Sequence, residues 1–330
     1  MIKIGEQSFC ENCFEQTHIF PCPRCGYDNT DEERDVIALP IRSILQGKYI
    51  IGKVLGKGGF GITYLALDYQ KKTRVAIKEY YPGNLAYRSP GDTGIGRPHS
   101  KEELFKEGEE KFYSEAKTIA KLRENGNIVT VYEFFKENNT SYFVMEYLEG
   151  CDLKGFVAKN GTLSEGQAIT VIRSVCGALG EAHEKGILHR DISPDNIFVC
   201  NDGRIILIDF GAARQLAAEK SQSMSVILKQ GFAPIEQYQR KSNHGPWSDI
   251  YALGASICFS LTGQLPDDAI TRMSSPEIDF SRNRSLSESF KNIISKMMAV
   301  NTSDRYTDSN EVMADINALE TEARSIIVKV

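Results

Sequence analysis

Strand-like and helix-like segments are segregated along this 330-residue chain, and the change falls near Leu148. Three β-type runs follow one another from Tyr49, separated by polar or glycine-rich turns: YIIGKVLG, GITYLALD and TRVAIKEY. Two more strand-like runs lie around 128–135 and 141–147. Beyond Leu148 the periodicity is helical, with a short β patch at NIFVC and RIILIDF. Strands first and helices later predict an α+β protein with two lobes, one β-rich and one helical.

Apolar residues at three- and four-residue spacing indicate the helices. The first helix carries on one face Phe112, Ala116, Ile119 and Leu122. The longest is SEGQAITVIRSVCGALGEAHEKG, which has Ser164 at its N-cap and is expected to end near Gly186. Three more helices are predicted at 247–262, 286–299 and 308–326.

The same patterns predict the division of the chain. We expect a Cys-rich, irregular segment at 1–30, a linker at 31–48, a main domain at 49–320 and a tail at 321–330. Within the main domain, the β-rich lobe is expected at 49–147 and the helical lobe at 148–320. Residues 82–106 are rich in glycine, proline, arginine and serine, and we predict a long insertion there.

The composition argues against several classes of protein. A hydrophobic fraction of 41% and a charged fraction of 25% are ordinary for a soluble globular protein. The net charge of −5 gives no global electrostatic footprint for nucleic acid. No apolar run approaches the roughly 18–20 residues that span a bilayer, and the N-terminus does not have the pattern of a secretory signal. We therefore expect a cytoplasmic protein without a membrane span, and such a location argues against disulfides.

Four cysteines crowd into sixteen residues with the spacing Cys10-x₂-Cys13-x₈-Cys22-x₂-Cys25. Each C-x₂-C pair lets two thiolates approach one ion, and four thiolates complete a closed tetrahedral zinc site. A segment this short cannot build a stable core, so metal would supply the folding energy. We predict structural Zn²⁺ in a zinc-ribbon-like segment that serves protein contacts, regulation or stabilisation. Redox-active pairs and an iron–sulfur site are the alternatives. The other cysteines are expected in or near the core: Cys151, Cys176, Cys200 and Cys258.

A glycine-rich run, LGKGGFGI, lies between the first two strand-like segments. Glycines let a backbone close over phosphate groups because no side chain blocks the approach. A dinucleotide-binding fold would require a helix directly after the glycines, whereas β-type residues follow here. A hairpin that covers phosphates therefore fits better, although the motif alone is equally typical of an ordinary glycine-rich hairpin.

Lys78 ends the apolar strand VAIK, seventeen residues after Gly61. A lysine at the edge of a buried strand needs a counter-charge. Glu115 lies on the helix face that carries Ile119 and can supply it. The rival carboxylates, in poorer register with the apolar stripe, are Glu107, Glu109 and Glu110.

The most informative polar stretch is HRDISPDN, which contains Asp191 and Asn196 five positions apart. Asp209 follows the apolar run RIILI, thirteen residues after Asn196, and begins the tripeptide DFG. A carboxylate and an amide can bind a hard cation through oxygen, and a second carboxylate can orient an attacking hydroxyl. Phosphoryl transfer needs little more than this positioning and charge neutralisation. With Lys78, these residues suit phosphoryl transfer assisted by a hard cation.

These motifs, in this order, resemble the protein kinase superfamily from Tyr49 to Leu319. Further matches are a hinge-like FVMEYL, an APIE element that is similar to A-P-E, Asp249 in WSDIYALG and Arg305 in SDRY. The KEYYP run that begins at Lys78 and the DISPDN loop resemble bacterial, eukaryotic-like serine/threonine kinases. The resemblance implies a two-lobed kinase fold and γ-phosphoryl transfer from ATP to protein serine or threonine hydroxyls, including autophosphorylation. A small-molecule kinase of the same fold and a pseudokinase scaffold are the alternatives.

The resemblance also implies a role for each matched residue. Lys78 would bind the α- and β-phosphates and pair with Glu115. Asp191 would accept or orient the proton of the substrate hydroxyl, and Asn196 and Asp209 would hold Mg²⁺. The implied nucleotide-binding positions are Leu55, Gly56, Gly58, Gly61, Ile62, Ala76, Lys78, Met145, Glu146, Leu148, Asp152 and Phe198.

Among the implied nucleotide contacts, the three glycines would cover the phosphates. Ile62 and Ala76 would pack on adenine, with Met145 as gatekeeper. Backbone groups of Glu146 and Leu148 would bond the adenine edge. Asp152 would reach the ribose.

Regulation is expected in the segment between Asp209 and Glu236. In the family, the arginine that corresponds to Arg190 often binds a phosphorylated residue of this segment through charge-assisted hydrogen bonds. We predict that phosphorylation orders the segment at one of three serines: Ser221, Ser223 or Ser225. A flexible polar loop is the alternative. Glu236 would form a structural pair with Arg305.

Two positions depart from the family pattern. Serine/threonine kinases usually carry lysine two residues after the catalytic aspartate, but Ser193 stands there. The usual threonine before A-P-E is also missing, so two residues that normally touch are both absent. We hypothesise that Lys229, four residues before Ala233, restores the missing charge. An exposed loop lysine is the alternative.

Overall fold

The structure, a computed structural model, describes residues 2–4, 7–28, 36–59, 61–122, 126–210, 229–238 and 243–328. The chain divides into two compact units. The first unit comprises Met1–Lys121 and Thr130–Leu148, and the second comprises Leu122–Val129 and Glu149–Val330. Strands concentrate in the first unit and helices in the second, which agrees with the predicted α+β class.

The Cys-rich segment begins with two short antiparallel strands, β1 (Ile2–Ile4) and β2 (Gln7–Phe9). The sequence predicted an irregular segment here, because three-residue strands are too short for an alternating pattern to be seen. The two cysteine pairs follow in tight turns.

A six-stranded antiparallel sheet forms the centre of the first unit. Its strands are β3 (Ile44–Leu45), β4 (Tyr49–Gly58), β5 (Gly61–Asp68), β6 (Thr73–Tyr80), β7 (Val131–Glu137) and β8 (Thr140–Glu146), in the spatial order β3-β4-β5-β6-β8-β7. Seven of the eight residues of β5 are buried, because both faces of this strand are covered. Leu65 and Leu67 contact the Cys-rich segment, whereas the hydroxyl of Tyr64 bonds to Glu79 on the other face.

Helix α1 (Glu102–Ala120) and a long irregular segment complete the first unit. The predicted insertion at 82–106 is therefore shorter than expected, since its last five residues belong to α1. Tyr87 and Gly96 form an antiparallel bridge within it, and Ile95 N donates to Asn138 O at 3.0 Å. The insertion is thus tied to the turn between β7 and β8.

The second unit contains a small three-stranded sheet and the remaining helices. In chain order these elements are β9 (Gly150–Asp152), α2 (Leu153–Asn160), α3 (Glu165–Glu184), β10 (Ile197–Cys200), β11 (Ile205–Leu207), α4 (Pro246–Thr262), α5 (Ala269–Arg272), α6 (Glu288–Met297) and α7 (Ser309–Val328). A capping box of Ser164 and Gln167 begins α3, so the predicted N-cap is confirmed. Fourteen of the seventeen residues of α4 are buried, which makes it a core helix.

Three further sequence predictions are checked by these elements. The tail predicted from residue 321 begins inside α7, which extends to Val328. Of the four isolated cysteines, Cys151 is half-buried and the others are buried. Within the described residues, no helix combines the length and apolar character needed to cross a membrane.

Candidate active site and metal centre

Lys78 is fixed in the first unit by the register of β6. It lies directly opposite Thr63 of β5 and Phe143 of β8, so the three side chains share one face of the sheet. Its Nζ lies 3.7 Å from Oε1 of Glu115, with the side chains 15% and 5% exposed. The structure therefore brings together the lysine and the carboxylate that the sequence paired.

Aromatic packing holds α1 against the sheet, and with it Glu115. The rings of Phe112 and Phe143 are 5.0 Å apart, and those of Tyr80 and Phe105 are 4.9 Å apart. Gly108 allows this approach, because a Cβ there would lie 2.0 Å from the hydroxyl of Tyr80. A glycine inside a helix is intrinsically unfavourable, and here close packing explains it.

One predicted nucleotide contact, Ile62, must be corrected. Ile62 lies opposite Glu79, whereas Ala76 and Lys78 lie opposite Leu65 and Thr63. Successive side chains of a strand point to opposite faces, so Ile62 cannot share a surface with Ala76. Thr63 is the residue of this strand that shares the Lys78 face, and the sequence reasoning missed it by one position.

The β4–β5 hairpin carries the glycine-rich run. Gly58 and Gly61 pair at its tip, and a Cβ on Gly61 would lie 2.2 Å from Glu79 O. Gly61 is therefore required by packing. Gly56 and Gly58 have open space around their Cα atoms, as a phosphate-covering backbone needs, and Leu55 is 39% exposed.

The predicted hinge residues lie at the end of β8. Met145 is opposite Ala76, on the Lys78 face. The N–H of Glu146 donates to Thr130 O at 2.9 Å, so that N–H is not the group that would meet an adenine edge. Leu148 is half-buried in the segment that follows.

The HRD loop of the second unit is held by the carboxylate of Asp249. This buried side chain accepts hydrogen bonds from His189 N at 2.8 Å and Arg190 N at 2.7 Å, and lies 2.9 Å from Nε2 of His183. These contacts hold Arg190 in a left-handed conformation, with φ of 66°. Burial lowers the pKa of His189, so its imidazole is neutral and packs against the ring of Phe210.

Asp191 and Asn196 are hydrogen-bonded to each other in this loop, and the backbone before Asp209 is tied to the same loop. The Nδ2 atom of Asn196 donates to Oδ2 and to the carbonyl of Asp191, at 2.8 and 2.7 Å. The amide is thus oriented so that its Oδ1 is the atom that would meet a cation. Ile208 N donates to Asn196 O at 3.0 Å, which places the following residue, Asp209, beside the loop. Oxygen donors of these types are those that magnesium prefers.

Lys229 reaches the same loop. Its Nζ lies 2.5 Å from Oγ of Ser193, 3.5 Å from Oδ2 of Asp195 and 3.8 Å from Oδ2 of Asp191. Burial raises the pKa of Asp195, but Lys229 and Lys154 outweigh burial and lower it below its ordinary value. The hypothesised restoration of charge by Lys229 therefore has a geometric basis.

The second unit also contains the other predicted site residues and the predicted structural ion pair. Oδ1 of Asp152 accepts a hydrogen bond from Gly155 N at 2.7 Å and so caps α2. Phe198 lies opposite Asp152 in the small sheet. Arg305 and Glu236 form a buried ion pair at 2.8 Å. The three candidate phosphorylation sites lie outside the described residues: Ser221, Ser223 and Ser225.

A buried polar network behind Lys78 was missed by the sequence reasoning. Glu79, on the opposite face of β6, pairs with Arg88 of the insertion, and both side chains are fully buried. Tyr64 and Tyr142 donate to the Glu79 carboxylate at 2.7 and 2.6 Å. Arg88 also donates to Ile37 O at 2.7 Å. The signal in the sequence was Glu79, a charged residue directly after Lys78. The sequence did not show which residue would pair with it.

The four clustered cysteines converge on one point in the first unit. Their sulfurs all lie within 4.8 Å of one another, and all four are free thiols. The pairs Cys10–Cys25 and Cys13–Cys22 are each separated by 3.7 Å. Sulfurs bound about 2.3 Å from a tetrahedral zinc ion would be about 3.8 Å apart, so the set fits that ion.

The protonation of the thiols differs within the cluster. Burial raises the pKa of Cys10 and Cys13. Burial also acts to raise that of Cys25, but hydrogen bonds, first from Asn12, outweigh it and lower the pKa to about 7. A bound cation would favour the thiolate form of all four.

The Cys-rich segment is packed against β4 and β5. Phe14 and Tyr27 share a buried cluster with Ile50, Leu65 and Leu67. Residues between the first two cysteines make further contacts: Lys53 N donates to Asn12 O at 3.2 Å, and Arg42 pairs with Glu11. The segment is therefore part of the first unit and not a separate appendage.

Comparison with protein families gives one match, to the protein kinase domain, over residues 49–316. Serine/threonine-protein kinase PknA of Nostoc sp. is 30% identical over 284 residues, which cover 83% of this chain and 47% of the relative. Serine/threonine-protein kinase PknL of Mycobacterium tuberculosis is 30% identical and is covered over 68% of its length, with 86% of this chain aligned. This chain thus spans about half to two thirds of these curated relatives.

A solved structure described as "PpkA-294 apo form" is also similar. Its TM-score is 0.78 at 32% sequence identity, and the alignment covers 85% of this chain and 99% of that one. The kinase domain of Mycobacterium tuberculosis PknI aligns with a TM-score of 0.62 at 23% identity, which supports the fold alone.

Proposed function

This chain belongs to the protein kinase family, and from that premise we propose that it is an ATP- and Mg²⁺-dependent serine/threonine protein kinase. The observation that carries the proposal is the hydrogen bond from Asn196 to Asp191, in a loop to which the backbone before Asp209 is tied. Asp191 is thereby held in place to receive a hydroxyl proton. The names of the curated relatives support protein hydroxyls as acceptors.

The reaction would be a phosphoryl transfer from ATP to an acceptor hydroxyl. The first unit supplies the ammonium of Lys78, held by Glu115, for the α- and β-phosphates of ATP. In the second unit, Asp191 orients the acceptor hydroxyl and takes its proton as the oxygen forms a bond to the γ-phosphorus. The bond from that phosphorus to the bridging oxygen breaks, and ADP leaves with the electron pair. Asn196 and Asp209 would hold Mg²⁺, which neutralises phosphate charge when bound.

The cluster of four cysteines is proposed to hold structural Zn²⁺. Cys10, Cys13, Cys22 and Cys25 would occupy all four positions of a tetrahedral ion, so no position would remain for chemistry. The ion would fix the turns that carry Asn12 and Phe14 and so keep the Cys-rich segment on the sheet. A cytoplasmic location and protein contacts made by this segment remain proposals.

Label transfer from γ-labelled ATP to a protein acceptor such as casein tests the proposed function. Asp191→Asn should reduce the rate by about 10²–10⁴-fold, the usual contribution of a positioned acid or base. Asp202→Asn is the matched control, because Asp202 is an exposed residue bonded to Arg204, and it should leave the rate unchanged. Label on metabolites but not on protein would indicate a small-molecule kinase, and wild-type protein without Mg²⁺-dependent ATP turnover would indicate a scaffold.

A further inference from the structure

The position two residues after Asp191 is filled by a buried hydroxyl, and a lysine from elsewhere in the chain reaches it. Ser193 is fully buried, and Lys229, thirty-six positions later, approaches its Oγ to 2.5 Å. The same ammonium lies within 4 Å of the carboxylates of Asp191 and Asp195. One cation therefore serves three oxygen-bearing side chains of a single loop.

Lys229 differs from an ordinary surface lysine in its surroundings. Its side chain is 21% exposed, whereas that of Lys154, which also pairs with Asp195, is 61% exposed. Lys154 meets that carboxylate at 3.3 Å, as a solvated surface pair does. Holding a long side chain in one place has an entropic cost, and Lys229 offsets it with several contacts.

The backbone at Lys229 is also fixed. Its carbonyl accepts hydrogen bonds from Phe232 N and Ala233 N, each at 3.1 Å, so Lys229 begins a tight turn. Within that turn Gly231 has φ of 80°, and a Cβ there would lie 2.6 Å from Pro266 O. The turn is thus packed against the 265–266 segment. The backbone from which the Lys229 side chain extends toward the loop is therefore fixed.

We propose that Lys229 is a catalytic residue whose ammonium stabilises the charge on the γ-phosphoryl group during transfer. This inference rests on the proposed function and deepens it. Lys229 forms no covalent bond and donates no proton in the step. Its charge acts on the phosphoryl oxygens while the bond to the acceptor oxygen forms and the bond to ADP breaks. Ser193 positions the ammonium beside Asp191.

The arrangement is an exchange of positions relative to the pattern that the family resemblance implies. In that pattern the lysine lies on the loop and the hydroxyl lies before the A-P-E-like element. Here the hydroxyl of Ser193 lies on the loop and the ammonium of Lys229 lies before APIE. Because the contact between them is retained, exchanging the two side chains should retain the charge at the same place.

Steady-state kinetics of four proteins tests the proposal: wild type, Lys229→Ala, Lys154→Ala, and the exchange variant Ser193→Lys with Lys229→Thr. Loss of Lys229 should lower kcat about 100-fold or more, as removal of one preorganised charge-stabilising group does. The KM for ATP should change less than about threefold, since the interaction is made in the transition state. The kcat of Lys154→Ala should be close to that of wild type. The kcat of the exchange variant should be at least about tenfold higher than that of Lys229→Ala.

The outcomes separate this inference from the proposed function. Wild-type protein that transfers no phosphoryl group to protein overturns the proposed function itself. An active wild type with a near-normal Lys229→Ala variant overturns the role of Lys229 alone. A fall in kcat that the exchange does not rescue assigns Lys229 to folding of its turn and also overturns the proposal. If Lys229→Ala unfolds at a much lower temperature than wild type, its own kcat does not separate catalysis from folding. The kcat of the exchange variant then decides between the two roles.

Discussion

Lys78 and Lys229 are both lysines beside carboxylates, but different kinds of structure hold them. Lys78 lies in a regular strand, where backbone pairing with β5 and β8 sets its position, and its carboxylate Glu115 comes from one helix. Lys229 begins an irregular turn, and side-chain oxygens of one loop surround its ammonium. The first position depends on the sheet as a whole, and the second depends on a few local contacts.

Substitutions at these two positions should therefore have different consequences. Substituting the residues that hold Lys78 in place should lower the stability of the first unit, because those residues belong to the buried core of that unit. Disturbing Lys229 should lower turnover with little loss of stability, because its side-chain contacts are confined to one loop and its side chain is partly exposed.

Arg88→Met should give the largest loss of stability. It leaves the fully buried carboxylate of Glu79, on the strand of Lys78, without its cation. Breaking a buried ion pair from one side costs about 3–5 kcal/mol. Chemical denaturation would measure the change, and the double variant Arg88→Met with Glu79→Gln should recover part of it. Wild-type stability for Arg88→Met would show that the network does not support the strand.

Removal of the metal should cause the second largest loss of stability. Without an ion, or with Cys22→Ser, the turns that place Phe14 and Tyr27 on the sheet lose their anchor. Two aromatic side chains that leave the core would lower the free energy of unfolding by about 3 kcal/mol. Thermal unfolding together with metal analysis checks this, and Cys176→Ser is the control for a lone buried thiol. Equal unfolding of metal-loaded and metal-free protein, or the finding of iron with sulfide, would contradict the zinc assignment.

Gly52→Ala should have the smallest effect of the three. Its Cβ would lie 2.6 Å from Cε2 of Phe14 and 3.0 Å from Asn12 O, so the Cys-rich segment must shift. Overpacking of this kind costs about 1–3 kcal/mol. Gly166→Ala, an exposed helical position with open space, should be neutral or stabilising in the same denaturation experiment. If the two variants behaved alike, the packing of the segment against β4 would be disproved.

Periodicity and motif spacing predicted most of the fold, because the features concerned are local. The capping residues at Ser164 identify the start of α3, and the apolar stripe of α1 selected Glu115 among four glutamates. The three- and four-residue spacing that buries Ile119 also directs Glu115 toward the sheet. These positions follow from helix geometry, which the sequence displays directly.

The features that escaped prediction depend on pairings between distant residues. Whether Ile62 or Thr63 shares the face of Lys78 is decided by strand register, and a shift of one residue exchanges the two faces. The partner of Glu79 lies in an insertion without periodicity. The packing of Phe14 over Gly52 joins two segments separated by a linker. None of these contacts leaves a pattern within a single segment.

Residue-resolved mass spectrometry after incubation with ATP and Mg²⁺ shows directly whether this chain transfers phosphoryl groups to protein. We expect phosphoserine or phosphothreonine on the wild-type chain, including one of Ser221, Ser223 and Ser225, and unmodified protein for Asp191→Asn. Wild-type protein that stays unmodified and also transfers nothing to an added protein acceptor would contradict the proposed kinase activity, as would an Asp191→Asn variant that is modified equally well.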